Sequence, residues 1–149
     1  MAYNHPPSVS RFSVSTREQD ADLSRRLSTV LQMYSYNVTE RINERMEGAM
    51  ERIVEGTRRT APRGHRKRHF YQNITSKMVS TSISECAFLW YVKAPAYRLT
   101  HLLEHGHDGP AGSRFNTFVP GFHFIRNTLD TEMPVLEAEI KEVIRTADC

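Results

Sequence analysis

The segment Tyr97-Arg-Leu-Thr-His-Leu-Leu-Glu-His-Gly-His107 gathers three histidines and a glutamate into eleven residues, and His123 follows one loop later. His101 and His105 stand one helical turn apart and His107 two residues further on, an H-x3-H-x-H spacing whose imidazoles are able to ligate zinc. A metal-dependent hydrolase built here would use His101, Glu104, His105 and His107. The order is not H-E-x-x-H, however, because Glu104 follows two leucines instead of standing beside the first histidine. The plainer reading has the histidines hydrogen-bond to backbone and carboxylates and fasten a loop to a helix. On that reading there is no metal site, no cofactor and no catalytic residue. No glycine-rich phosphate loop, nucleophile elbow or Cys-x-x-Cys pair occurs, and Asp108 and Asp130 lack partners at catalytic spacing. The chain is therefore not expected to be an enzyme.

A second cluster is basic. Arg58, Arg59, Arg63, Arg66, Lys67 and Arg68, with His65 and His69, surround Pro62 and Gly64, which make the run a connector instead of a helix face. A solvated connector is one reading. The other is a contact with DNA phosphates or with an acidic protein ring. A nucleic-acid-binding module using residues 58–69 is thus a rival function. Phe70 and Tyr71 fit the start of a strand better than a base-stacking platform.

These clusters need elements to hold them. Leu99, Leu102 and Leu103 fall at i, i+3, i+4 and predict a short helix after Pro95, with an apolar stripe toward the core and Gly106 as its C-terminal stop. Upstream, Leu23, Leu27, Leu31, Tyr34, Val38, Ile42, Met46, Ala49 and Ile53 recur with a period near 3.75, closer to a helix than to a coiled-coil repeat. The capping pattern Thr16-Arg-Glu-Gln19 places the start of that helix, and Pro62 ends it near residues 56–61. Residues 1–15 read as an extended arm, and 16–149 as a single α+β domain. A strand at about Phe70–Ser80 and a second at Glu85–Lys93, buried on both faces, form a hairpin with a turn at Val79–Ser82. Four of the seven glycines lie between Gly106 and Gly121, a glycine loop suited to reaching a neighbour. A last helix follows Val119-Pro-Gly-Phe-His-Phe-Ile-Arg126, with a kink or restart near Asp130 imposed by Pro134. The fold class is α+β: a long N-terminal helix packed on a small antiparallel sheet, a short central helix and a C-terminal helix.

The chain has 149 residues, 39% of them apolar, a net charge of +3 and a mean hydropathy of −0.54. This suits one domain with long half-exposed helices, or one that completes its burial against neighbours. No apolar run approaches the ~20 residues that span a bilayer, and no signal-peptide pattern opens the chain. It is expected to be made in the cytoplasm without a membrane partner. Cys86 and Cys149 are expected to be a reduced pair.

YRLTHLLEHGH, then a glycine-rich loop and PGFHFIR, resembles the neck or tail-completion proteins of long-tailed bacteriophages, the gene-ten-like family of lambdoid siphophages. The likeness runs from about Thr60 to the C-terminus, with the N-terminal helix matched by pattern. In the second block Phe122 and Asn127 stand where the family has prolines. The matched positions Tyr97, Arg98, His101, Leu103, Glu104, Gly106, His107, Pro120, His123, Ile125 and Arg126 are, by this resemblance, structural. The resemblance implies a virion protein at the head–tail junction, a ring of about six or twelve copies around the DNA channel. Its partners would be itself, the head-completion or connector proteins, the tail-terminator or tail-tube proteins, and the genomic DNA. Arg58, Arg59, Arg63, Arg66, Lys67 and Arg68 would then face an adjoining protein or the DNA.

Overall fold

The computed structural model describes residues 10–63, 69–82, 85–109 and 117–147. Its contacts divide the chain into two units, Met1–Val38 and Thr39–Cys149. The first helix, α1, is assigned from Ser10 to Thr60 and so runs through both.

In the first unit α1 starts at Ser10, ahead of the expected start at Thr16. Residues 10–15 are therefore helix and not an extended arm, while residues 1–9 lie outside the described residues. Pro6-Pro7 is the last sequence that forbids a helix; the Ser, Arg, Phe and Val that follow carry no such veto. Every side chain from Asp20 to Asn37 is exposed. The apolar stripe expected from the sequence has the helical form it requires, yet Leu23, Leu27 and Leu31 are 65%, 56% and 58% exposed. An Arg26–Asp22 pair one turn apart, at 2.9 Å, adds little at such exposure.

The second unit holds the core. Its part of α1 buries Ala49, Ile53, Val54 and Thr57, and Ala61 beyond the helix end is buried too. Of these, Val54 and Ala61 meet Phe70, Ile74, Val92 and Phe124, with Trp90, Leu103 and Ile125 packed at the margin. A 3-10 turn, Phe70–Asn73, leads into β1 (Ile74–Ser82), which pairs antiparallel with β2 (Glu85–Val92) from Ile74↔Val92 to Ser80↔Cys86. The expected turn at Val79–Ser82 is strand instead, and residues 83–84 lie outside the described residues. β2 is also not buried on both faces: Cys86, Phe88, Trp90 and Val92 are half-buried or buried, whereas on the other face Glu85, Ala87 and Leu89 are exposed and Tyr91 alone is half-buried. A two-stranded hairpin has one face to offer the helix, so the apolar run Cys-Ala-Phe-Leu-Trp-Tyr-Val is covered on alternate residues.

A 3-10 turn at Ala96–Leu99 runs into α2 (Thr100–His105). β3 (Gly106–Asp108) and β4 (Phe118–Pro120) then pair antiparallel, and α3 (Phe124–Ala147) closes the chain. The glycine loop is thus tied at both ends, with Gly109 N donating to Thr117 O at 3.1 Å; residues 110–116 lie outside the described residues. α3 runs antiparallel to the second part of α1. Arg41 Nη2 donates to Thr146 Oγ1 at 2.8 Å, Arg52 binds Glu132 and Glu139, and Gly56 abuts Thr128. α3 does not stop or restart at Asp130, because Asp130 and Pro134 both face solvent, where water satisfies the carbonyl that proline leaves free. The described residues form an α+β fold, and none of their helices is long and apolar enough to cross a membrane.

Candidate functional site

The two sequence blocks meet where α2 ends and α3 begins. The first four N–H groups of any helix lack intrahelical acceptors, and the last carbonyls lack donors. Here the two ends satisfy each other. The Glu104 carboxylate accepts Ile125 N–H at 2.9 Å and Arg126 N–H at 3.0 Å, which caps α3 from outside its own sequence. In the other direction Phe122 N–H donates to Leu103 O at 2.7 Å and His123 N–H to Glu104 O at 3.2 Å. Glu104 is only 6% exposed and has no cationic partner among the described residues. Two N–H donors and the positive end of the α3 dipole provide the compensation that a buried carboxylate requires.

The stripe expected on α2 is accordingly revised. Leu103 is half-buried against the core, but Leu99 and Leu102 are exposed, and the fully buried member of the helix is the charged Glu104. Leu99 lies before the six-residue helix, in the 3-10 turn, and the helix side that meets the start of α3 is the one that carries Glu104.

Two glycines permit the close approach. Gly106 has φ of 86°, and a Cβ there would lie 2.5 Å from Val119 O. Gly121 needs its missing side chain more: a Cβ would stand 2.2 Å from Glu104 O. His123 takes a positive φ of 48°, rare for a residue with a side chain, while its carbonyl accepts the Asn127 N–H at 2.9 Å and opens the helix. His123 thus occupies the N-cap position, and Glu104 performs the capping that an N-cap side chain ordinarily supplies.

The histidines form a row on this junction. His101 and His105 have ring centroids 4.8 Å apart, and His105 and His123 are 6.5 Å apart. Among the described residues no three His, Cys, Asp or Glu side chains converge as metal ligands, and Glu104 is turned toward backbone N–H groups. His107 pairs through β3 with Val119, and Pro120 with Gly106. Tyr97 and Arg98 are exposed at the surface, with the guanidinium 5.9 Å from the Tyr97 ring. Arg126, also exposed, lies 3.9 Å from Asp130.

The basic run divides. Arg58 donates from Nε and Nη2 to the Ile74 carbonyl at 3.0 and 2.6 Å, so it ties α1 to the start of β1. Arg59 is exposed, Arg63 lies 4.9 Å over the Tyr71 ring, and Arg66, Lys67 and Arg68 lie outside the described residues. Sequence reasoning missed Thr57, which is fully buried and accepts the Trp90 indole N–H at 3.0 Å. Its signal was present, since residue 57 continues the apolar stripe one turn past Ile53. It also missed Arg52, whose guanidinium pKa is raised above its ordinary value by the hydrogen bonds it donates to Glu132 and Glu139. Nothing in the spacing announced that pairing.

No protein-family model matches this chain, and no curated protein or solved structure is significantly similar to it.

Proposed function

We propose that this chain is a structural virion protein of the phage neck, not an enzyme, and that it forms a ring joining head to tail around the DNA channel. The observation that carries the reading is the run of exposed apolar side chains along α1, at Leu23, Leu27, Val30, Leu31 and Tyr34. Isolated surface leucines are ordinary, but an apolar stripe continued over three turns of helix marks a surface meant for a partner. An assembly protein has such surfaces because its burial is completed by neighbours. The motif blocks YRLTHLLEHGH and PGFHFIR support the same reading. In it, the Glu104 junction makes each subunit rigid enough to repeat around an axis. The adjoining partners are head-completion or connector proteins on one side and tail-terminator or tail-tube proteins on the other, with genomic DNA in the channel.

Electron microscopy of the purified protein tests this directly. Rings with a central opening, and loss of joined heads and tails in particles lacking the protein, are the expected results. A chain that remains monomeric at high concentration, in particles whose necks form without it, would sink the proposal.

A further inference from the structure

Two apolar surfaces of the described residues differ in form. One is the α1 ridge, where Leu23, Leu27, Leu31 and Tyr34 project within one narrow stripe at 100° per residue. Asp20 continues that stripe at its N-terminal end, and Arg26 stands on its flank. All are exposed. The other is a groove of about 590 Å³ in the second unit, lined by Arg45 of α1 and by Pro134, Val135, Ala138, Glu139 and Glu142 of α3. Its floor is apolar, its rim charged, and Val135 and Ala138 are exposed in it. Glu139 is already held by Arg52 and Glu142 by Arg145, whereas Arg45 has no ion-pair partner among the described residues.

We infer that the ridge of one copy seats in the groove of a second copy of this chain, with Asp20 meeting Arg45; this rests on the ring assembly proposed above. Pairing ridge with ridge would leave the groove open and give Arg45 no counter-charge. Ridge in groove covers both apolar surfaces and gives Arg45 its counter-charge in Asp20. Because the two surfaces are different, the contact is heterologous: each copy still offers a free ridge and a free groove, and repetition closes into a ring when the rotation permits. A symmetric contact would stop at a dimer.

Charge exchange in the full chain tests the contact by sedimentation velocity. Asp20→Arg and Arg45→Asp should each raise the concentration needed for assembly about tenfold or more, because like charges then face each other. The double variant Asp20→Arg/Arg45→Asp should recover most of that loss. Leu27→Asp and Val135→Asp should each abolish assembly while leaving helical circular dichroism unchanged, since both residues are exposed in the subunit. Mixed together, those two variants retain one intact ridge and one intact groove, and should give one-to-one dimers that grow no further. If wild-type protein assembles but the double variant is no better than the singles, and the mixture stays monomeric, the contact is wrong and the ring reading survives. Symmetric dimers indifferent to Arg45 would also overturn it. A monomeric wild type would remove both.

Discussion

Trp90 and Thr57 meet through one hydrogen bond, the indole N–H donating to the threonine hydroxyl at 3.0 Å, and it joins the covered face of the hairpin to the buried face of α1. The hydroxyl in turn donates to the carbonyl of Ile53 at 2.8 Å. The pair helps set how the hairpin sits on the helix.

Removing only one partner should be the costly change. Thr57→Val keeps the shape and strands the indole N–H, and should destabilise by about 1–3 kcal/mol. Trp90→Phe frees the hydroxyl but loses aromatic packing at the core margin. The double variant should cost less than the sum of the singles, because it leaves no orphaned donor. Urea titration of all four proteins completes the cycle, and strict additivity would show that the bond contributes nothing.

Glu104 is the next test. Glu104→Ala strips both acceptors from the start of α3 and should cost about 2–4 kcal/mol, the sum of a lost cap and two charge-assisted bonds. Glu104→Gln retains a carbonyl oxygen and should cost about half as much. A histidine-based metal reading makes a different forecast, in which either change lowers zinc affinity with little effect on stability without metal. Denaturant titration in chelator separates the two.

Alanine in place of glycine should act in opposite directions at two sites. At Gly48 a Cβ meets nothing closer than the Arg52 guanidinium at 3.8 Å, so Gly48→Ala should stabilise α1 by about 0.5–1 kcal/mol. At Gly121 the Cβ would strike the Glu104 backbone, and Gly121→Ala should destabilise by more than about 2 kcal/mol. Thermal melts of the two variants on either side of wild type would bear this out; equal melting temperatures would contradict the packing at the junction.

The basic run should split in the same way. Arg58→Ala leaves the Ile74 carbonyl without its guanidinium and should cost about 1.5–3 kcal/mol, whereas Arg59→Ala should fall within about 0.5 kcal/mol of wild type. Loss of head–tail joining in Arg58→Glu would then report folding, and only Arg59 and Arg63 among the described arginines would report docking. Arg58→Glu protein that melts like wild type would reverse that assignment.

Much of the architecture was legible because it follows from local rules. Periodicity marked α1, the pattern after Pro95 marked α2, and Gly106 stopped it with the positive φ expected of such a residue. Both blocks of the junction stand out in the sequence as well. Nothing in their spacing reveals that Glu104 caps a helix 20 residues away, because a capping glutamate ordinarily belongs to the first turn of its own helix. Exposure was equally hidden: the stripe at Leu23–Tyr34 has the same period as the stripe at Ala49–Ile53, and period says which residues share a face, not whether anything covers it. β2 was misjudged for a related reason, since a continuous apolar run looks the same in a sheet covered on both sides and in a hairpin covered on one.

Arg52 spans two carboxylates that lie on opposite sides of Pro134, Glu132 at 2.9 Å and Glu139 at 3.1 Å. Proline leaves α3 one backbone bond short at that point, and the guanidinium braces the gap from the neighbouring helix. The weakest turn of α3 is therefore supported by α1, and opening it requires the brace to release. The two helices should behave as one foldon, with the amides around Pro134 exchanging with solvent at the same free energy as those of α1 beside Arg52.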